Sequence, residues 1–213
     1  GDDDGVILPP RIAPTQIVIL PITPKEETQQ QVLEACDKLV AGLRVKRYAD
    51  LGLEVEIDRR QFGGGVRNWE WIKKGVPIRL ELGPRDLEKN SVAVSRRDQP
   101  AKEKQLMPMT EFVARAPEIL GSIQQNVYQR ALTFRDANTR TIESKEEFYD
   151  FFTAKDSAKP EIHGGFALAH WNGAREIEEK IKNDLKVTIR CIPLSGPEPG
   201  RCIFTGQASQ RRV

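Results

Sequence analysis

Short apolar, β-branched runs separated by segments of helical period constrain this chain of 213 residues more than any other feature. IVIL, entered from Gln16 and ended by Pro21, is too short for a helical core and reads as a buried strand. Thr23-Pro24 then predicts an N-cap followed by a first-turn proline. Val32, Leu33, Cys36, Leu39, Val40 and Leu43 recur at 3.6-residue spacing, so a helix with one apolar face follows. Leu53 to Ile57 alternates apolar residues with Glu54 and Glu56, a half-buried strand. Arg67 to Lys74 predicts a short helix that Gly75 closes, and Pro77 to Leu82 and Ser91 to Ser95 predict two more strands. Alternation of this kind indicates an α/β fold with a central, largely parallel sheet flanked by helices.

Gln99 to Met109 reads as a polar connection, and the domain boundary is placed near residue 108. Thr110 to Asn138 predicts one long helix that Pro117 kinks or restarts. Thr139 to Ser144 reads as a short strand. Ser144 and Glu147 then form a capping pattern, and Phe148, Phe151 and Phe152 read as a packing face. Phe166 to Trp171 and Val187 to Leu194 read as strands, Ala174 to Leu185 as a helix, and Gly200 to Gly206 as a last strand or turn. The expected organisation is a linker at 1–14, one α/β domain at 15–108 and a smaller α/β domain at 109–213.

A net charge of +2 confines any nucleic-acid surface to a local patch. No apolar run approaches a membrane span, so no membrane partner is expected. Cys36, Cys191 and Cys202 are odd in number and lack CxxC spacing, which fits a reducing cytoplasm. Asp2, Asp3 and Asp4 read as a solvated charge run in preference to a magnesium site, on an opening expected to be frayed. That opening does not read as a signal peptide, and without an initiating Met the chain reads as an excised piece of a longer one.

Phe62 to Asp86, FGGGVRNWEWIKKGVPIRLELGPRD, concentrates glycines, two tryptophans and cations. Aromatic faces stack unpaired bases, while Arg and Lys hold phosphates and guanine edges. The same composition also suits a core helix running into a buried strand. The glycines at 63–65 are not a phosphate-cradling loop of the GK[ST] type, and no His and Cys pair supplies a nucleophile.

The segment 64–87, with IAPTQIVILPI at 12–22, resembles the C-terminal half of prolyl-tRNA synthetases of the archaeal/eukaryote-like type. That family writes PGWKF and then WExKGVPIRxELGPRDL here, and GDDDGVILPPRIAP resembles its exit from the class II catalytic domain. The resemblance implies a class IIa anticodon-binding fold, with a mixed five-stranded sheet, followed by a small C-terminal domain of degenerate zinc type. It implies a whole enzyme that joins proline to tRNA(Pro) with ATP and magnesium, usually a homodimer. Those catalytic parts would precede Gly1, so this piece alone is expected to be inactive and to hold the anticodon, whose second and third bases are guanines.

Reading guanine calls for cations on its acceptor edge and a carboxylate on its donor edge. The candidates are Arg67, Lys74, Arg79 and Arg85 as cations, Glu70 and Glu81 as carboxylates, and Trp71 as the stacking or wall residue. Two departures stand out: Gly64-Gly65-Val66 replaces the family's PGW, and Ile72 stands at its Glu. A cross-strand ion pair remains the other reading of Arg79 and Glu81.

Members of the family that carry zinc place cysteines where this chain has Asn172, Ile177, Cys202 and Thr205 or Phe204. One thiol, with His163 and His170 the only imidazoles, does not make a tetrahedral site, and packing is expected in its place. A stand-alone RNA-binding or regulatory module without synthetase activity and a small-molecule enzyme at the sheet edge are the other readings, and the GDDDGVILPP opening, which resembles the synthetase junction, argues against both.

Overall fold

The computed structural model describes residues 1–23, 25–60, 63–154, 165–194 and 196–213. Pro24, Phe62 and His163, each used above, lie outside the described residues. Two compact units emerge, Gly1–Arg130 and Ala131–Val213.

The first unit is built on a five-stranded sheet of order β4-β1-β5-β6-β7, from β1 (Ile17–Pro21), β4 (Val55–Ile57), β5 (Ile78–Leu82), β6 (Ser91–Arg96) and β7 (Gln105–Pro108). β1 runs parallel to β4 and β5, whereas β6 and β7 are antiparallel additions. The sheet is therefore mixed. α1 (Glu26–Arg44) buries Val32, Cys36, Leu39, Val40 and Leu43 against Ile17, Ile19, Ile78, Leu80 and Leu82. This is the apolar face that the spacing predicts. Burial pushes the Cys36 thiol up to about 12, so it is inert packing.

The other face carries Val18 and Leu20, covered by Trp71 and Val76 from and after α2 (Gly64–Lys74). Gly75 closes α2 in the left-handed region, φ 77°, as its position after Lys74 predicts. A short α3 (Pro84–Glu88) stands where only a turn was expected; Asp86 Oδ2 accepts from the Gly83 amide at 2.9 Å and starts it.

Several expectations are corrected. The N-cap of α1 is Lys25, not Thr23; no side chain caps it, and Glu26 and Glu27 balance the helix dipole instead. A hairpin of β2 (Arg47–Tyr48) and β3 (Leu51–Gly52) turns through Ala49 and Asp50 at positive φ, without the Asn-Gly signal that marks such turns. β7 replaces the polar connection, because the exposed edge of β6 offers it a backbone ladder. The two compact units divide at Arg130, and α4 (Met109–Ala137) buries Phe112, Ala116, Ile119, Leu120 and Ile123 in the core of the first. α4 is continuous through Pro117.

The opening is not frayed. Asp2 takes the Arg97 guanidinium at 2.5 and 2.8 Å, Val6 N donates to Lys73 O, and Leu8 N donates to Gly75 O. The acidic run thus supplies an ion-pair anchor.

In the second unit, β8 (Thr139–Thr141) pairs in parallel with β9 (Phe166–Leu168). Ser144 Oγ accepts from Glu147 N and caps α5 (Lys145–Phe152) as its sequence predicts. α6 (Arg175–Leu185) and the hairpin β10 (Gly200–Arg201) and β11 (Ala208–Ser209) complete the unit. Ile142, Phe148, Ala169 and Ile181 form its core, with Phe151, Phe152 and Phe204 packed around them. Residues 187–194 form no strand and have no ladder partner among the described residues, and Leu194 is fully exposed.

Candidate nucleic-acid interface

The parallel strands end at Pro21, Ile57 and Leu82, and α2 starts beside that edge, with Gly64 3.6 Å from Ile22 Cδ1 at the glycine's ideal Cβ position. In open α/β sheets this carboxyl edge is where ligands bind.

Three of the predicted contacts are inside. Arg67 is 6% exposed; its Nη1 donates to Asp58 O and its Nη2 to Pro21 O, both at 2.8 Å. It pins the ends of β1 and β4 to α2. Trp71 is 5% exposed and donates from Nε1 to Asp58 Oδ2 at 2.8 Å. Arg79 is 1% exposed and donates from Nε to Asn68 Oδ1 at 2.9 Å. Its Nη1 and Nη2 have no hydrogen-bond partner among the described residues. Burial first, and Arg97 second, hold it down at about 10. With Arg67 and Trp71 turned from α2 toward the sheet and Arg79 turned from β5 toward α2, none of the three presents an edge or a face to a base in this conformation. The buried face of α2 has claimed them.

Asp58 organises this layer. Its carboxylate takes Arg60 Nε and Nη2 as well as the Trp71 indole. The Arg60 hydrogen bonds, helped by Trp71, hold it down at about 2 despite its burial. Arg60 Nη1 also meets Glu70 Oε2 at 2.6 Å, so Glu70 is already neutralised by a cation. Glu81 is likewise paired, with Lys104 Nζ at 2.7 Å, and not with Arg79.

The structure leaves Lys74 and Arg85 exposed, as required of contacts. Lys74 Nζ lies 4.1 Å from the Trp71 ring centroid. Arg85, on α3 at the carboxyl edge, makes no hydrogen bond or ion pair among the described residues. Lys73 is exposed too, 5.9 Å from the ring of Trp69, which is itself 41% exposed.

Sequence reasoning passed over Asp58, Asn68, Trp69, Lys73 and Lys104 as site residues. Helical phase holds the signal for Trp69: if Arg67, Trp71 and Ile72 face inward, Val66, Trp69 and Lys73 must face outward. The outward aromatic stands one turn after the Val66 that replaces the family's tryptophan.

In the second unit the zinc-site positions do converge, but on hydrogen bonds. The buried Cys202 thiol accepts from the Thr205 hydroxyl and from the amides of Phe204, Thr205 and Asn172, which together pull its pKa down against burial. His170 Nδ1 lies 3.2 Å from Ser209 Oγ, and its ring packs so tightly on Gly200 that a Cβ there would sit 2.3 Å from Nε2. No group of three His, Cys, Asp or Glu among the described residues could hold a metal. A cavity of about 1120 Å³ in this unit is lined by apolar residues such as Phe148, Trp171, Ile181 and Phe204, and borders none of the predicted contacts.

Comparison with known proteins bears on both units. Residues 16–119 match the anticodon binding domain family, and residues 155–213 match the family described as prolyl-tRNA synthetase, C-terminal. The chain is 49% identical over its whole length to proline–tRNA ligase 2 of Anaeromyxobacter dehalogenans, covering 42% of that protein. It is 53% identical to the proline–tRNA ligase of Protochlamydia amoebophila, over 97% of this chain and 41% of the relative. The chain therefore spans about two-fifths of the length of these curated relatives. The crystal structure of Cryptosporidium parvum prolyl-tRNA synthetase, complexed with L-proline and AMP, superposes with a TM-score of 0.79 at 27% identity. It covers all of this chain and 43% of that one.

Proposed function

The chain belongs to the prolyl-tRNA synthetase family, matching the C-terminal part of its members, and from that premise we propose that it holds the anticodon of tRNA(Pro) for a proline–tRNA ligase. The observation that carries the proposal is that the anticodon-binding match at 16–119 falls on the sheet unit whose carboxyl edge and α2 expose Lys73, Lys74 and Arg85. Around these cations Glu70 and Glu81 already have cationic partners, so repulsion of phosphates is muted. Arg85 at the carboxyl edge and Lys74 at the far end of α2 are the proposed direct contacts, with Glu70 and Glu81 the proposed carboxylates. Arg67, Trp71 and Arg79 hold the platform from beneath.

In the whole ligase, ATP, magnesium and proline would be handled by a class II core outside this chain, in a cytoplasmic homodimer. Among the described residues no helix is long and apolar enough to cross a membrane. No observation favours a stand-alone module without ligase activity.

Filter binding of the full chain to tRNA(Pro), against a copy with both anticodon guanines replaced, tests the reading. The altered copy should bind more weakly. Arg85→Ala should lose roughly 3- to 10-fold in affinity, the range for one charge-assisted contact. Equal affinity for the two RNAs would remove the proposal.

A further inference from the structure

The outer face of α2 presents one large aromatic side chain to solvent. Trp69 is 41% exposed and Val66, one turn earlier, is 58% exposed. Both are opposite the buried Arg67, Trp71 and Ile72. Lys73, one turn later on the same stripe, sets its ammonium 5.9 Å from the Trp69 ring. The helix has no acid in its first turn and two lysines in its last. The one carboxylate within α2, Glu70, is held at 2.6 Å by Arg60.

We propose that Trp69 is a stacking platform for an unpaired base of the bound RNA loop, with Lys73 placed for the adjoining phosphate. The inference rests on the anticodon-holding reading above and adds to it a residue and a role. A flat π-face beside a free cation matches a nucleotide, which offers a ring and a phosphate at that spacing. A protein partner fits less well: one indole and one valine, preceded by glycines and flanked by charged residues, fall far short of the roughly 800 Å² per side of a stable interface. Stacking also tolerates any base, so Trp69 would hold the loop while polar groups at the sheet edge discriminate.

The test compares wild type, Trp69→Ala and Trp69→Phe in the full chain. The probes are a tRNA(Pro) transcript and the same transcript with its anticodon loop closed by a complementary oligonucleotide. Circular dichroism checks that each variant folds. Trp69→Ala should bind the open transcript roughly 10-fold more weakly, as loss of one base–aromatic stack predicts. Trp69→Phe should recover most of that loss. Quenching of indole emission on binding should be present in wild type and largely gone in Trp69→Phe, because Trp71 is shielded and Trp171 belongs to the second unit. If Trp69→Ala binds the open transcript as wild type does while guanine discrimination persists, the platform is overturned and the anticodon reading survives. An equal loss against the closed loop would also overturn it, since no unpaired base is then available. If wild type fails to discriminate the guanine-replaced tRNA, the anticodon reading fails and the platform falls with it.

Discussion

Asp58 shows how one carboxylate decides which of its neighbours can reach a ligand. It sits at the end of β4, takes three donors from Arg60 (its amide, Nε and Nη2) and one from Trp71, and is 3% exposed. Its folded pKa of about 2 lies below the ordinary 3.8, so its contribution is present above that ordinary value and is lost as pH falls toward 2. The shift is worth about 1–2 kcal/mol at neutral pH once the half-exposed Arg60 is discounted. Asp58→Asn should therefore lower urea-unfolding stability by about that amount at pH 7. The gap between the two proteins should narrow as pH falls from about 5 to about 2. A constant gap would mean that the charge of Asp58 contributes nothing. Trp71, drawn inward by this carboxylate, stabilises the layer and leaves Trp69 as the accessible indole of α2.

At the scale of elements, α2 is fixed at both ends by different means. Its first turn is tied to β1 and β4 through Arg67, and its last turn receives the amides of Val6 and Leu8. The close approach there leaves no room for side chains. A Cβ on Gly75 would lie 2.6 Å from Val6 O, and one on Gly5 would lie 2.7 Å from Lys73 Cα, with both residues at positive φ. Gly75→Ala should destabilise the first unit by about 1–3 kcal/mol through combined strain and clash. Hydrogen exchange should show faster opening at the Val6 and Leu8 amides, with the α1 core unaffected. Full protection of those two amides in the variant would refute the account. Gly75 was legible in the sequence because a glycine after a helical run has one common use. The opening's attachment was not legible, because its partners lie nearly 70 or more residues away and a run of aspartates looks the same whether solvated or paired.

For the whole molecule, a formal charge of +2 leaves no global field to steer RNA, so binding depends on a few local cations. If Lys73, Lys74 and Arg85 are the phosphate contacts, log K should fall with log salt at a slope of about −2, near 0.7 per contact for single-stranded RNA. Titration between about 50 and 200 mM salt measures it; a slope several times steeper would mean that more cations than these three take part. By itself the sequence determined β1, α1, β5, β6 and the closing Gly75, together with the family resemblance, because apolar period and turn chemistry are local properties. Only the tertiary structure decided that β7 forms and 187–194 does not, since a short strand exists only where an edge accepts its hydrogen bonds. It also decided the fate of the NWEW segment. In a helix of three turns with apolar residues at 66, 69, 71 and 72, either side could have packed on the sheet. The carboxylate of Asp58 and the carbonyl of Pro21 drew Trp71 and Arg67 inside, and so left Trp69 to the solvent.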